Sequence, residues 1–179
     1  MRNLASKGKQ IAKYPPSMPD KYKISSAHPV PEYIPRPSYV GQEPQNFPPL
    51  TGKIHVMNAA QIASLKVAAN LAARTLKVAI DSVRPGMSLD DIDKIVHDHI
   101  VADGAYPSAI DFMHFPKSVC LSVNDVVSHG VPNSYVLQPG DYLNIDVVCF
   151  KEGHHGDNSA MVMVETDEIK VPDEIKRLS

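Results

Sequence analysis

The sequence predicts an α+β fold, an antiparallel sheet with helices on one face. Two observations carry most of that expectation. Two stretches place apolar residues at helical spacing, each opened by a capping residue. An apolar, β-branched ribbon from Tyr142 to Val164 then turns back at Lys151-Glu152-Gly153. A third observation sets the limits of the folded unit: ten of the sixteen prolines lie in the first 50 of 179 residues.

Residues 1–50 therefore read as a Pro-rich segment, extended or disordered, with polyproline stretches around Pro15-Pro16 and Pro48-Pro49. Residues 51–179 read as the folded domain. The first nineteen residues carry Arg2, Lys7, Lys9 and Lys13 and no acid. That suits either the remnant of an organellar transit peptide or a plain basic tail.

The first helix is expected from about Ala59 to Val83. Asn58 is its N-cap and Gln61 stands at the capping-box position. Ile62, Leu65, Ala69, Ala72, Leu76 and Ile80 recur on one face, and Arg84-Pro85-Gly86 stops it. The second helix starts at the Ser88 cap, has Asp91 three residues on, and runs to about Ala102 with Gly104 as its stop. Leu89, Ile92, Ile95, Val96 and Ile100 mark its core face. His97 and His99 sit two apart, point to different faces and make a poor metal pair, so both are expected in solvent. Strands follow near Ser118–Ser122, Tyr142–Phe150 and Asn158–Val164, with a turn at Pro139-Gly140-Asp141. Val171-Pro172-Asp173-Glu174 reads as the start of another helix.

Composition removes several classes of function. The net charge of −2 includes no basic excess, so nucleic acid is not a favoured partner. No apolar run approaches the roughly 20 residues a membrane span needs. Cys120 and Cys149 both lie in apolar, strand-like runs and are expected as free thiols in a reducing compartment.

The ribbon carries two acids, Asp146 and Asp157, eleven residues apart. A tight hairpin with Lys151-Glu152 at its tip sets them directly opposite each other, with Cβ atoms about 4.5–5.5 Å apart. Two like charges closing on an apolar ribbon repel, and a bound divalent cation relieves that cost. A solvated edge aspartate, or a register shifted by a glycine, is the plainer alternative.

The segment Phe115-Pro116-Lys117-Ser118-Val119-Cys120, continuing through Asn124 to His129-Gly130-Val131-Pro132, resembles the signature of type I methionine aminopeptidases. Asn144-Ile145-Asp146-Val147, His155-Gly156-Asp157 and Ala105-Tyr106-Pro107-Ser108 fit the same family, in its order and spacing. Ile24 to Pro31 is similar to the lead-in of its mitochondrial branch. The resemblance implies the N-terminal half of a pita-bread fold and removal of the initiator Met from nascent polypeptides. It implies Asp146 and Asp157 as metal ligands, and His129 as the residue that contacts substrate and stabilises developing charge. Phe112, Phe115 and Cys120 would line the pocket for the Met side chain, the two Phe replacing usual Tyr residues. Asn124 and Val126 match a stretch that can hold a monovalent cation.

The implied cofactor is a pair of divalent ions, cobalt, manganese, iron or zinc. The implied partner is the N-terminal Met of nascent chains, near the ribosome, with no direct nucleic-acid or membrane contact. The implied location is mitochondrial or another organelle, otherwise the cytoplasm. The family completes its site with a His and two Glu from the second half of the fold, beyond Ser179. The chain reads as cut soon after a helix begins, and the isolated chain is expected to be incomplete as an enzyme. The alternative is a non-catalytic pita-bread relative that binds a partner through its cleft. An aminopeptidase for proline-containing peptides is disfavoured by Cys120.

Overall fold

The computed structural model describes residues 22–42, 52 and 54–177. The remainder of the Pro-rich segment, residues 1–21 and 43–50, lies outside the described residues, and with it the basic stretch at its start. Both expected helices form: α1 at Ala59–Ser82 and α2 at Leu89–Ala102. Each opens on a complete capping box, Asn58 with Gln61 and Ser88 with Asp91, so two orphan amide donors are satisfied reciprocally at each start. No helix among the described residues is long and apolar enough to cross a membrane.

The sheet contains β1 (Tyr106–Pro107), β2 (Cys120–Val123), β3 (Tyr142–Lys151) and β4 (His154–Met163), every pairing antiparallel. β4 runs along one edge of β3 for its whole length. β2 and the two-residue β1 share the other edge, β2 against Leu143–Asp146 and β1 against Cys149 and Phe150. β1 was not foreseen, because two residues carry no alternation to detect. A short helix, α3 (Asp173–Lys176), begins where Pro172 and two acids forecast it. The turn before β3 is anchored by the buried Asp141. Its carboxylate accepts hydrogen bonds from Tyr135 Oη at 2.8 Å, Asn124 Nδ2 at 2.7 Å and the Gln138 amide at 2.8 Å.

The hairpin differs from expectation in its tip. Glu152 and Gly153 form it, with φ of +51° and +79°. A two-residue turn with both central residues left-handed matches the twist of the strands, and Gly at the second place makes it accessible. The turn therefore moves one residue along, and β4 begins at His154 instead of Asn158.

Both helices cover one face of this sheet, and the core lies between. The face α1 buries is rotated from the expected one. Ala68, Leu71, Ala72, Thr75, Leu76 and Ala79 are buried, while Ile62 is exposed. Close approach explains the rotation. A Cβ at Gly156 of β4 would lie 2.2 Å from the Ala68 carbonyl oxygen, and Cys149 Sγ contacts that same oxygen at 3.4 Å. Small side chains on the helix and a glycine on the strand let backbone meet backbone.

Residues 22–42 form a strap without helix or strand that lies against the domain. Ile34 is 2 % exposed. The Lys23 and Ser134 backbones are joined by a 3.0 Å bond from the Ser134 amide. The strap's first half docks on a buried polar cluster. Lys117, wholly buried, donates from Nζ to Ser25 Oγ at 2.6 Å and to Asp90 at 2.7 Å, and lies 3.6 Å from Asp93. Asp93, also wholly buried, accepts the Ser118 amide at 2.7 Å through Oδ1. Its Oδ2 has no hydrogen-bond partner among the described residues and faces His28 at 3.7 Å as well as Lys117. Burial pushes the Asp93 carboxyl above its usual range.

This cluster corrects the reading of the two helix histidines. His97 is buried, with Nδ1 2.8 Å from Ser118 Oγ and Nε2 3.2 Å from the Pro29 carbonyl. Burial holds it below its ordinary pKa, favouring the neutral ring. His99 pairs with Thr75 Oγ1 at 2.8 Å across the α1–α2 seam. His97 is buried and His99 half-buried, because α2 is covered by the strap as well as by the sheet and α1.

Two substitutions test this packing. Gly156→Ala must push α1 off β4, and its urea midpoint should fall by the equivalent of about 2–4 kcal/mol. Gly153→Ala, which meets no neighbour, should lose only about 1 kcal/mol through its left-handed backbone. Similar losses for the two would remove the close approach as the cause. Lys117→Met strips the buried carboxylates of their cation and should cost about 3–5 kcal/mol near neutral pH. Because Asp93 has a raised pKa in the fold, it binds its proton more tightly folded than unfolded. Acidification through that value should therefore recover part of the Lys117→Met loss.

Candidate metal centre

Along β3 the residues alternate between the two faces. Leu143, Ile145, Val147 and Cys149 are buried beneath the helices, so Asn144, Asp146 and Val148 leave on the open face. The register fixes what meets them. Asp146 pairs with Ser159, and Asp157 pairs with Val148. Asp146 and Asp157 are therefore diagonal neighbours, not the directly opposed pair that the expected turn implied. A shift of two residues preserves the face, and diagonal partners remain within side-chain reach.

The carboxyl groups do meet. Asp146 is pushed above the usual carboxylate range, first by burial and then by the neighbouring Asp157 carboxyl. His129 draws Asp146 the other way by a smaller amount. Without a counter-ion, this is two acids competing to stay ionised on one face.

β2 brings the rest. Cys120 pairs with Asp146 across the strands. Its thiol is pushed up to about 12, by burial first and then by Asp146 and Asp157, so it is a neutral S–H at working pH. His129, exposed and at φ +53°, is fixed through the next residue. Gly130 accepts the Leu121 amide at 2.8 Å and donates to Ser122 Oγ at 3.1 Å. A Cβ there would lie 2.1 Å from the Leu121 carbonyl oxygen, so only glycine lets the His129 segment close on β2.

Phe112 and Phe115 belong to the connection from β1 to β2. Phe112 is half-exposed and opens a single 3₁₀ turn, and Phe115 follows it, half-buried. Asn124, at φ +61°, spends its side chain on Asp141 and on the Tyr142 amide. His155 Nδ1 lies 2.9 Å from Ser108 Oγ, and its ring lies 5.0 Å from that of Phe150.

The donor set fits a hard or borderline divalent ion in kind: carboxylate oxygens aimed at one place and destabilised by their own proximity. It does not complete a coordination shell. No group of three or more His, Cys, Asp and Glu among the described residues is arranged to hold a metal.

Residues 63–178 match the model of metallopeptidase family M24. The chain belongs to that family. It is 42% identical over 159 residues to the chloroplastic methionine aminopeptidase 1B of Arabidopsis thaliana, which covers 89% of this chain and 42% of the relative. It is 44% identical over 141 residues to the mitochondrial methionine aminopeptidase 1D of Homo sapiens, covering 79% and 42%. This M24 chain thus spans less than half the length of these relatives. Among solved structures, methionine aminopeptidase from Rickettsia prowazekii superposes with a TM-score of 0.67 at 35% identity, over 70% of this chain and 49% of that one. The X-Pro aminopeptidase from Thermotoga maritima, at 21% identity and a TM-score of 0.56, shares the fold. The M24 chain is an α+β portion of the pita-bread fold, as the motifs implied.

Several residues that organise the site were not foreseen. Lys117 and Asp93 hold the lead-in to β2, and Tyr39 reaches the open face from the strap. Asp93 had a detectable signal, because it stands beside Ile92 and one helical turn from His97 on the buried side of α2. A carboxylate there requires a partner.

The acid pair makes a directional prediction. Asp146 has a raised pKa in the fold, so without metal the folded state gains stability at low pH and loses it as pH rises through that value. Asp146→Asn removes the repulsion and should raise the metal-free melting midpoint near pH 8, by about 2–4 °C for each kcal/mol relieved, with little change near pH 4. A midpoint that falls at pH 8 would show that the pair stabilises the apo fold.

Proposed function

We propose that this chain contributes the Asp146–Asp157 part of a two-metal aminopeptidase centre that removes the initiator Met from nascent polypeptides. The observation that supports the reading is the convergence of these carboxylates on the open face, with Cys120 paired to Asp146 and His129 beside it. Asp146 and Asp157 hold the divalent ions, for which cobalt, manganese, iron and zinc are all chemically suited. When bound, such ions acidify a water and polarise the scissile carbonyl.

The chain's own residues do the rest of their share. His129, exposed and held at a fixed backbone angle, donates a hydrogen bond to the substrate peptide and to the charge that develops on its carbonyl oxygen. Cys120 offers a neutral, polarisable wall to a thioether side chain, and Phe112 and Phe115 complete that pocket. The ligands needed to close the shell come from the part of the fold that the longer relatives carry. The organellar names of those relatives favour a mitochondrial or plastid setting. Retention of both acids and of His129 favours an enzyme over a partner-binding relative.

Calorimetric titration of the chain with manganese tests the ribbon. Two carboxylates without further partners should bind weakly, with Kd on the order of 0.1–1 mM. Asp146→Asn and Asp157→Asn should each abolish the heat of binding, and Lys77→Ala should leave it unchanged. Tight binding indifferent to both aspartates would take the ribbon out of the metal reading.

A further inference from the structure

The strap and the Phe112 turn meet on the open face of the ribbon. His155 lies opposite Phe150 on β4, two residues before Asp157 and on the same face. Its ring stacks on Tyr39 of the strap, with centroids 6.1 Å apart and planes inclined by 21°. Tyr39 in turn meets Phe112 edge to face, with centroids 5.2 Å apart and planes at 79°. Its hydroxyl donates to the Ser108 carbonyl, while the Ser108 side chain bonds His155. Two residues on, the Gly41 amide donates to the Asp111 carboxylate at 2.5 Å. The strap therefore holds the Ser108–Phe112 segment at both ends.

That segment needs to be held. Asp111, Met113 and His114 have φ of +65°, +52° and +63°. Side chains rarely adopt this region, and it persists only where surroundings impose it. Within the turn the Phe112 amide bonds the Ala109 carbonyl, the His114 amide the Asp111 carbonyl, the Phe115 amide the Phe112 carbonyl and the Asp111 amide the Phe115 carbonyl. Tyr39 and Gly41 add contacts from outside the turn, and the Tyr106 hydroxyl adds another to the Ile110 carbonyl at 3.4 Å.

We propose that Tyr39 is a positioning residue, a clamp by which the N-terminal strap fixes the Asp111–His114 turn and sets Phe112 at the substrate side of the centre. The inference rests on the reading of Phe112 as a wall of the Met pocket. The clamp works through ring stacking and one donated hydrogen bond. Burial raises the pKa of the Tyr39 hydroxyl, so it stays a donor across the working pH range. The occupant that would sense it is an unbranched apolar side chain next to a free amine, the chemistry of an N-terminal Met. Specificity for that side chain would then be set partly by a residue far from the family motifs.

Amide hydrogen exchange and calorimetry on the full chain test the clamp. Tyr39→Leu fills the space without ring or hydroxyl. It should speed exchange across residues 109–115 at least about tenfold and leave the α2 amides unchanged. It should weaken L-methioninamide, measured with manganese present, at least about fivefold, with manganese affinity itself within about twofold. Tyr39→Phe keeps the stack and should restore both readouts most of the way. Unchanged exchange at 109–115 in Tyr39→Leu overturns the clamp, and so does an equal rise over α2, which would mark a general stability residue. Local loosening with no change in L-methioninamide affinity overturns its role in the pocket. If the unsubstituted chain binds no L-methioninamide, the pocket reading of Phe112 fails, and the exchange measurement alone decides whether Tyr39 holds the turn.

Discussion

α1 rests on the β3–β4 ribbon so closely that Gly156 faces the Ala68 carbonyl with no room for a methyl group. That contact commits one face of the ribbon to the core. Because side chains alternate along a strand, the other face is then assigned residue by residue: Asn144, Asp146 and Val148 from β3, His155, Asp157 and Ser159 from β4. A one-residue slip of β4 against β3 would bury Asp157 beneath the helices at a prohibitive desolvation cost. The helix contact and the carboxylate site are thus one constraint seen from two sides. The glycine that permits the first stands next to the aspartate that serves the second.

The same logic explains why the site is electrostatically unsettled. The core face stabilises the fold, and the open face carries a like-charge pair whose proximity raises the Asp146 pKa. Cys120, placed against Asp146 by the β2 register, adds a protonated thiol and no compensating charge. Burial strengthens the repulsion and would equally strengthen attraction to a cation. A face arranged this way costs stability as long as no cation offsets the repulsion. That asymmetry separates it from the Lys117–Asp90–Asp93 cluster, where the cation is supplied by the chain and the carboxylates are already compensated.

What could be read from the sequence was what is local. Both capping boxes need only residues three apart, and both formed as expected. Alternation gave β3 almost to the residue. Register was harder, because it depends on which two residues take left-handed backbone. Glu152-Gly153 takes it, and Asp157 moves from opposite Asp146 to a diagonal position. The face survived because the shift was even. The helix histidines were misread for another reason. His97 is covered by Pro29, 68 residues away, and no periodicity in α2 reports a strap that arrives from elsewhere in the chain. The rotated face of α1 belongs with these, since it is set by the glycine of a strand not yet formed when the helix pattern is read. Of the candidate site, the motifs placed Asp146, Asp157, Cys120 and His129 on elements that the fold does bring together. Phe112 and Phe115 came only as a loop, and the loop's shape is imposed from outside it.

The two ends of the strap perform different work with similar means. At Ser25–Pro29 it closes over the Lys117–Asp90–Asp93 cluster and adds Ser25 and Pro29 as further hydrogen-bond partners of Lys117, Asp90 and His97. At Tyr39–Gly41 it leans on a turn that holds three left-handed residues. Between them Ile34 is buried and the Arg36 guanidinium lies 5.8 Å from the centre of the Tyr106 ring. Tyr106 belongs to β1, which pairs with the end of β3 that leads into the hairpin. Strap, β1, hairpin and Phe112 turn therefore form one contiguous set of contacts ending at His155, two residues from Asp157. A segment that composition alone would set aside as Pro-rich filler packs, over residues 22–42, against the elements that lead to the open face.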